Sequence, residues 1–496
     1  MARPHPRRLF WHAVPLLFST VMCLLLFTAP AMAATLNFTL TASEPVVVTG
    51  TPRIAIDVGG ATRYATYASG SGTAALSFSY AVQAGDFDAN GITIAAPLEL
   101  NGGTLTDVAG NPPTALTFTV PNTSAIKVQT YTAAFTTSPI TEANANAVSF
   151  AIAKAPTGAS FSYSITSSGG AGTVSGSGTI AGASHSVANV DVSALPSGML
   201  TLSVTVSTAA SGTGSTKTST STPTFTGVLD NLPAAALALS LRRLGGAYGG
   251  PLLRVRRSPD NAERDIAASI AGALDITTLT SFCGSSSCFV LALYDQSGNG
   301  RDAVQATAAS QPRIMNAGTL DVEGGRPTLR YTAGGRVLVA PSIPQTIRGS
   351  TNAVVRSAAS TGQMHIMGDR GGFDVTGNVG RIIRAVNGGA SYLGANIAGA
   401  KVSLMGSTQQ QRVVTVVSGT LGLSGALDGV ETVGDATTVY IPSTHVFWIG
   451  GTGPGGGVGD WVGTISEVTL FNITLSTSER QTLERNQGAY YGIAVQ

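Results

Sequence analysis

The 496-residue sequence predicts an all-β protein built from three sandwich-like units, and three observations carry that reading. Short runs with an apolar residue at every second position recur along the chain, as in LNFTLTA, RIAIDV and LTLSVTVST. Period-two alternation marks strands with one buried face. Gly, Pro and Asn punctuate these runs, and 61 Gly with 23 Pro supply the turns. Only 11% of residues are charged, too few for the solvated faces of long helices or coiled coils. The recurring Val, Ile, Leu and Phe also exclude a disordered chain, and the length fits several domains.

The first element precedes the fold. MARPHPRR is basic, residues 14–28 are apolar, and Ala31-Met32-Ala33 is an A-x-A cleavage site. Residues 1–33 therefore read as a secretory signal peptide. The apolar run is too short for a comfortable membrane span, and no later segment approaches one. A secreted or cell-surface protein of bacterial type is expected, with no membrane insertion once the leader is gone. Export permits disulfides, so Cys283 and Cys288 of FCGSSSC are expected to pair. Their short loop fixes local geometry. The chain carries 28 basic and 26 acidic residues with no basic stripe. Nucleic acid is therefore not an expected partner.

Residues 34–124 form the first unit, with strands expected at LNFTLTA, RIAIDV, YATYA, AALSFSYAV and LTFTV. The stretch SEPVVVTGTPRIAIDVGGATRYATYASGSGTAALSFSYAVQAGDFDANGI, followed by LNGGTLTDVAGN, resembles a bacterial immunoglobulin-like repeat of large surface proteins. That resemblance implies a spacer or adhesive sandwich. Within it Asp86, Asp88, Asn90 and Gly91 match the first half of an EF-hand-like calcium loop. Calcium is thus the one cofactor the residues raise. Pro97 stands where the bidentate Glu belongs, and an inter-strand turn with Asx hydrogen bonds is the other reading.

Residues 125–227 form the second unit. AVSFAIA, SFSYSIT, GTVSGSGTIA, HSVANVDVS and LTLSVTVST are its expected strands, and DVSALPSGMLTLSVTVS resembles the closing strands of other bacterial immunoglobulin-like modules. SGTGSTKTSTSTPTF then reads as a Ser/Thr-rich linker or edge.

Residues 228–496 form the third unit. PAAALALSLRRL is expected to open it as a short apolar helix, and Asp275 to N-cap a second helix over ITTLTSF. Strand-like runs follow at FVLALY, NAVVRSA, GQMHIMG, GRIIRAV, RVVTVVSG and HVFWIGG. Ser476 and Glu479 form a capping box for a last helix that Gly488 is expected to stop. The ending, ISEVTLFN then LSTSERQTLERNQGAYYGI, resembles the close of concanavalin-like lectin and laminin-G-like sandwiches, which implies a jelly roll.

A more specific likeness runs through Tyr248, Gly250, Pro251, Leu252, Val255, Arg257, Ser258, Asp260, Asp265 and Ile266. It continues through Phe282, Cys283, Cys288 and Tyr294-Asp295-Gln296-Ser297-Gly298, and reaches Gly372-Phe373-Asp374. This order of residues resembles the start of the α-L-arabinofuranosidase B catalytic domain. The resemblance implies a glycoside hydrolase and, as partner, an arabinose-containing polysaccharide or other cell-surface glycan. Glycoside hydrolysis needs two flanking carboxyl groups. The family places its nucleophilic Glu after a Cys-Cys-Phe-Asp motif. Here Gly371 and Gly372 replace the cysteines, and no Glu occurs from Arg326 to Val430. The family's acid/base Asp follows a Gly-Gly pair, whereas Gly450-Gly451 is followed by Thr452.

Asp374 and Asp460 are the carboxylates left as catalytic candidates, and Phe373 and Trp461 join them as sugar-contacting candidates. Trp461 is set as the stacking ring and Trp448 as core, since aromatic planes present an apolar body to sugar C–H groups. Glu467, in an alternating strand, is expected to face solvent, and Asp295 to serve its own turn. His185, His365 and His445 lack zinc-site spacing. The sequence thus leads to carbohydrate binding on a hydrolase-like fold, with hydrolysis open. The alternative is a cell-surface adhesin without enzymatic activity.

Overall fold

A computed structural model gives the structure of the chain and describes residues 18–25, 35–332, 334–344, 348–358, 363–368, 382–386, 391–393, 396–397, 400–401, 404–406, 409–419, 422–433, 446–451 and 460–496. These residues are mostly β, in several antiparallel sheets.

The first unit hangs on the long strand Thr35–Thr49, which alternates buried and half-exposed residues over its first eight positions. Its first half pairs with Thr73–Ala81 and its second with Thr104–Asp107. Ala61–Ser69, Arg53–Val58 and Thr93–Glu99 complete the sheet. Phe38, Phe78, Leu40 and Ile54 fill the core. On the other edge, Phe18–Leu25 lies antiparallel to Thr35–Thr49. The expected strand LTFTV does not form, although Phe118 is buried. Pro112, Pro113 and Pro121 bracket it, and proline has no N–H for a ladder.

The second unit is a two-sheet sandwich. Thr132–Phe135, Val148–Ala153 and Ser184–Val190 form one sheet; Thr173–Thr179, Ser160–Ser167, Leu200–Thr208 and their neighbours form the other. Phe150, Ile165, Leu202 and Val204 are buried in one cluster. The Ser/Thr-rich stretch is an edge rather than a linker, because Lys217–Ser221 pairs with Leu200–Val204.

The D-x-D-x-N-G turn is the joint between these two units. Phe87–Asp88 pairs with Val128–Gln129. Phe87 joins the second unit's core against Tyr131, and the Asn90 amide donates to the Ala210 carbonyl at 3.3 Å. A further joint ties the second unit to the third. Ser197 N–H donates to Ala268 O at 2.8 Å, Ile270 N–H to Leu195 O at 2.8 Å, and Ile270 is buried in the second core.

In the third unit the strands form a continuous antiparallel ladder closed on itself around one core. Gly463–Phe471 is central. It pairs with Gly349–Ser357 on one edge and with Leu237–Ser240 and Leu329–Tyr331 on the other. Arg412–Gly419 and Gly422–Leu427 extend that layer. The opposite run carries Phe447–Ile449 between Leu338–Ala340 and Gln363–Gly368. The expected opening helix is instead the strand Leu237–Ser240, with all four residues buried. A continuous apolar run suits a strand covered on both faces, and pairing with Gly463–Phe471 outweighs alanine's helix propensity.

Two helices match the sequence closely. Ile276–Cys283 is N-capped by Asp275, whose carboxylate accepts Thr278 N–H at 2.9 Å, and Cys283 is disulfide-bonded to Cys288. Thr477–Tyr491 begins with the Ser476–Glu479 capping box. It runs through Gly488 and ends at Gly492, which takes the left-handed conformation. Gly488 serves packing: a Cβ there would lie 2.6 Å from Val495 Cγ2 and 2.7 Å from Ile493 O.

Candidate functional site

Polar residues of the opening segment build a clasp. Asp295, buried at the start of its turn, accepts Ala238 N–H at 2.9 Å and Ser297 N–H at 3.0 Å on one oxygen. Its other oxygen accepts the Ser297 hydroxyl at 2.7 Å and Arg301 N–H at 3.0 Å. Gln296 accepts Leu244 N–H and donates to Arg242 O, both at 2.8 Å. The turn therefore locks residues 235–244 in place, as its Asp, Ser and Asn chemistry predicts. Nearby, Arg254 grips Asp265 with two bonds of 2.7 and 2.8 Å, and Tyr294 O–H donates to the same carboxylate at 2.7 Å. The hydrogen bonds from Arg254 hold Asp265 below the usual carboxylate range. Those from Arg257 bring Asp260 down to about 2. These carboxylates are spent on structure.

So is Glu467, against the expectation that it faces solvent. It is buried, and Arg242 binds it at 2.8 and 3.2 Å. Ser240 O–H and Gln487 N–H donate to it, each at 2.9 Å. The strand alternates in sequence, but every residue of Gly463–Phe471 is buried, because the core covers one face and helix Thr477–Tyr491 the other. The network continues from Gln487 to Asn352 at 2.6 Å, to Thr415 at 2.9 Å and to Glu484 at 2.6 Å, where Arg480 closes it at 2.7 Å. Burial pushes the Glu484 carboxyl up. Sealed from solvent, neither Glu can reach a glycosidic bond.

A different corner gathers chemistry around Gly450-Gly451. Gly450 N–H donates to Ile366 O at 2.7 Å, and Trp461 N–H donates to Gly450 O at 3.0 Å. This convergence pairs His365 with Asp460 in a parallel bridge. Asp460 follows Gly450-Gly451 at a distance in sequence but returns to it in space. A Cβ on Gly451 would lie 3.1 Å from Asp460 Oδ1. Gly450, at φ +94°, has no room for a side chain, since a Cβ would fall 2.1 Å from Tyr331 Cε1. The Tyr331 hydroxyl and the Trp448 indole N–H are buried without a hydrogen-bond partner among the described residues. Each such donor costs about 1–3 kcal/mol, and natural proteins retain few of them. The corner thus brings together half-buried Asp460 and His365 and two buried donors with no acceptor among the described residues.

The other predicted residues fall elsewhere. Phe373 and Asp374 lie outside the described residues. Trp461 sits beside the corner but is fully buried, its indole N–H donating to Thr464 O at 3.3 Å. It leaves no ring face for a sugar, so the stacking role assigned from its loop position does not hold. The buried atom of Trp448 is likewise its N–H, and its ring is half-buried. The calcium reading of Asp86, Asp88 and Asn90 also fails. Asp86 accepts Tyr80 O–H at 2.5 Å, Gln83 N–H at 2.8 Å and Arg63 at 2.9 Å. Asp88 accepts Gly59 N–H and Gly91 N–H, each at 2.8 Å. Backbone donors, the Tyr80 hydroxyl and a guanidinium already occupy the carboxylate oxygens of Asp86 and Asp88. His365 gave no sequence signal because the backbone bridge that sets it beside Asp460 joins positions remote in the chain. No motif spacing signals such a pair.

Residues 229–361 match the family profile described as "Alpha-L-arabinofuranosidase B, catalytic". Among curated proteins, the probable alpha-L-arabinofuranosidase B of Aspergillus flavus is 40% identical over 75 residues, covering 15% of this chain and 15% of that protein. The alpha-L-arabinofuranosidase of Hypocrea jecorina is 35% identical over 74 residues, again covering 15% of each. The chain thus spans only a small part of these relatives. Among solved structures, a mutant GH54 a-l-arabinofuranosidase soaked with 4-nitrophenyl a-l-arabinofuranoside aligns with a TM-score of 0.42 at 16% identity, covering 54% of this chain and 64% of that one. The receptor binding domain of botulinum neurotoxin D aligns with a TM-score of 0.30 at 10% identity, covering 39% and 50%. Residues 229–361 of the third unit are thus similar to a segment of the alpha-L-arabinofuranosidase B catalytic domain.

Proposed function

We propose that the protein is exported and binds arabinose-containing polysaccharide through its third unit without hydrolysing it. The family segment over residues 229–361 supplies the substrate class. The observation that carries the binding reading is the fate of the carboxylates. Glu467 and Glu484 are buried in ion pairs, Asp428 is paired with Arg412, and no Glu occurs from Arg326 to Val430. Asp460 is left facing Gly451 without a described carboxylate to share the two-group chemistry of a glycosidase. Asp460 and His365, both half-buried, would then face the sugar hydroxyls. The two N-terminal units, joined end to end, would hold the binding unit away from its anchor.

Affinity electrophoresis of the mature chain in arabinan or arabinoxylan gels, paired with hydrolysis of an aryl α-L-arabinofuranoside, tests this reading. Retardation without product release supports it. Release abolished by Asp460→Asn would instead favour a hydrolase, a second reading for which the approach of Asp460 to Gly450-Gly451 is the specific support. Neither binding nor release would leave the adhesin.

A further inference from the structure

A cleft of 410 Å³ opens where the hairpin at residues 322–327, the segment Gln409–Arg412 and the tail after helix Thr477–Tyr491 meet. A neighbouring cleft of 290 Å³ shares Arg412, Asp428 and Ala494 with it. The larger lies within the range of about 300–1,000 Å³ usual for small-molecule sites. None of its lining residues belongs to the Gly450-Gly451 corner.

Its walls are charged but balanced. Arg356 pairs with Glu323 at 3.2 Å and also donates to Gln409 O at 2.8 Å. Arg412 pairs with Asp428, whose other oxygen accepts Val413 N–H at 2.8 Å. An anionic ligand would have to displace two carboxylates and a cationic one two guanidiniums, so the walls favour an uncharged ligand. Between the pairs lie the amides of Gln410 and Gln411, which offer donors and acceptors together, as a sugar hydroxyl does.

Gln411 supplies the pointed observation. Its Nε2 donates to Ser466 Oγ at 3.1 Å, which fixes the amide plane, while its Oε1 is buried with no partner among the described residues. The space beside that oxygen is kept by Gly324, where a Cβ would lie 3.0 Å from Gln411 Oε1 and 2.8 Å from Tyr491 O. A buried acceptor without a donor is costly, and a hydroxyl entering beside Gly324 would satisfy it.

We infer that this cleft is a second saccharide subsite, taking an uncharged sugar whose hydroxyl donates to Gln411 Oε1 and whose other hydroxyls bridge the paired Arg and carboxylate groups. The inference rests on the glycan-binding reading and adds a site separate from Asp460.

The test uses the mature full chain in arabinan, arabinoxylan and xylan gels, with Gln411→Met, Gln410→Ala, Asp460→Asn and the Gln411→Met/Asp460→Asn pair. Gln411→Met keeps the volume, and Gln410 is exposed, so a thermal melt for each variant separates binding from folding. Loss of one hydrogen bond corresponds to about threefold to tenfold weaker binding. The expected result is that loss in Gln411→Met, a smaller loss in Gln410→Ala, and multiplication of the Gln411 and Asp460 effects in the pair. If the wild type binds and both glutamine variants match it, the subsite is wrong while the glycan reading stands. If the wild type binds none of the three polysaccharides, both fall together.

Discussion

Residues 235–302 and the corner around Gly450-Gly451 lie in one β unit yet treat their polar groups in opposite ways. In the first region Asp295 accepts four hydrogen bonds, Gln296 bonds backbone groups through both its amide oxygen and nitrogen, and Arg254 holds Asp265 with two bonds. In the second, Tyr331 and Trp448 bury donors that no described residue accepts. The residues that make the family recognisable belong to the saturated region. Their spacing encodes how the chain enters the fold, and it reports on architecture rather than on reaction chemistry. Function is argued from a site and not from its scaffold.

This contrast can be broken by substitution. The largest effect is expected from Glu467→Ala, which leaves Arg242 charged and buried. Stability should fall by about 3–5 kcal/mol in denaturant melts, and a loss under 1 kcal/mol would mean that the network is not sealed. Asp295→Ala strips acceptors from Ala238 N–H and Arg301 N–H and should cost at least about 3 kcal/mol. Near-normal stability would remove the clasp from the account. Asp460→Asn should stay within about 1 kcal/mol of wild type while weakening glycan retention. If it unfolds the unit, Asp460 belongs with the clasp.

The smallest effect is a pH dependence at Asp260. Arg257 brings its pKa down to about 2, against an ordinary value of about 3.9. Its contribution is therefore full above the ordinary value and is lost as pH falls through about 2. The stability gap between wild type and Asp260→Asn should narrow between pH 5 and pH 2. A gap that widens on acidification would contradict the pairing.

Much of the fold was legible because its signals are local. Alternation located Leu200–Thr208 and a strand-like apolar run located Arg412–Gly419 at their true bounds, and the capping box started Thr477–Tyr491 where Ser476 stands. What the sequence hid depends on packing. PAAALALS looks helical until a strand partner remote in sequence takes up its backbone and the fold buries both its faces. Glu467 looks exposed until a helix lies over it. The acidic turn at Asp86 and Asp88 looks like half a cation site until Arg63 and Gly59 take its oxygens. Asp460 was picked from a Gly-rich loop beside a tryptophan. The structure places Asp460 beside Gly450-Gly451, bridges its backbone to His365 and buries that tryptophan. The Gln411 cleft gave no sequence signal, because an unpaired buried amide is visible only once its surroundings are.

The most direct test of the central claim measures arabinan binding and arabinose release in one sample of the mature chain, with Asp460→Asn beside it. The account predicts retention of arabinan by wild type, weaker retention by Asp460→Asn, and no arabinose above the buffer blank from either. Steady arabinose release by the wild type that Asp460→Asn abolishes would contradict it and make the Gly450-Gly451 corner a working hydrolytic site.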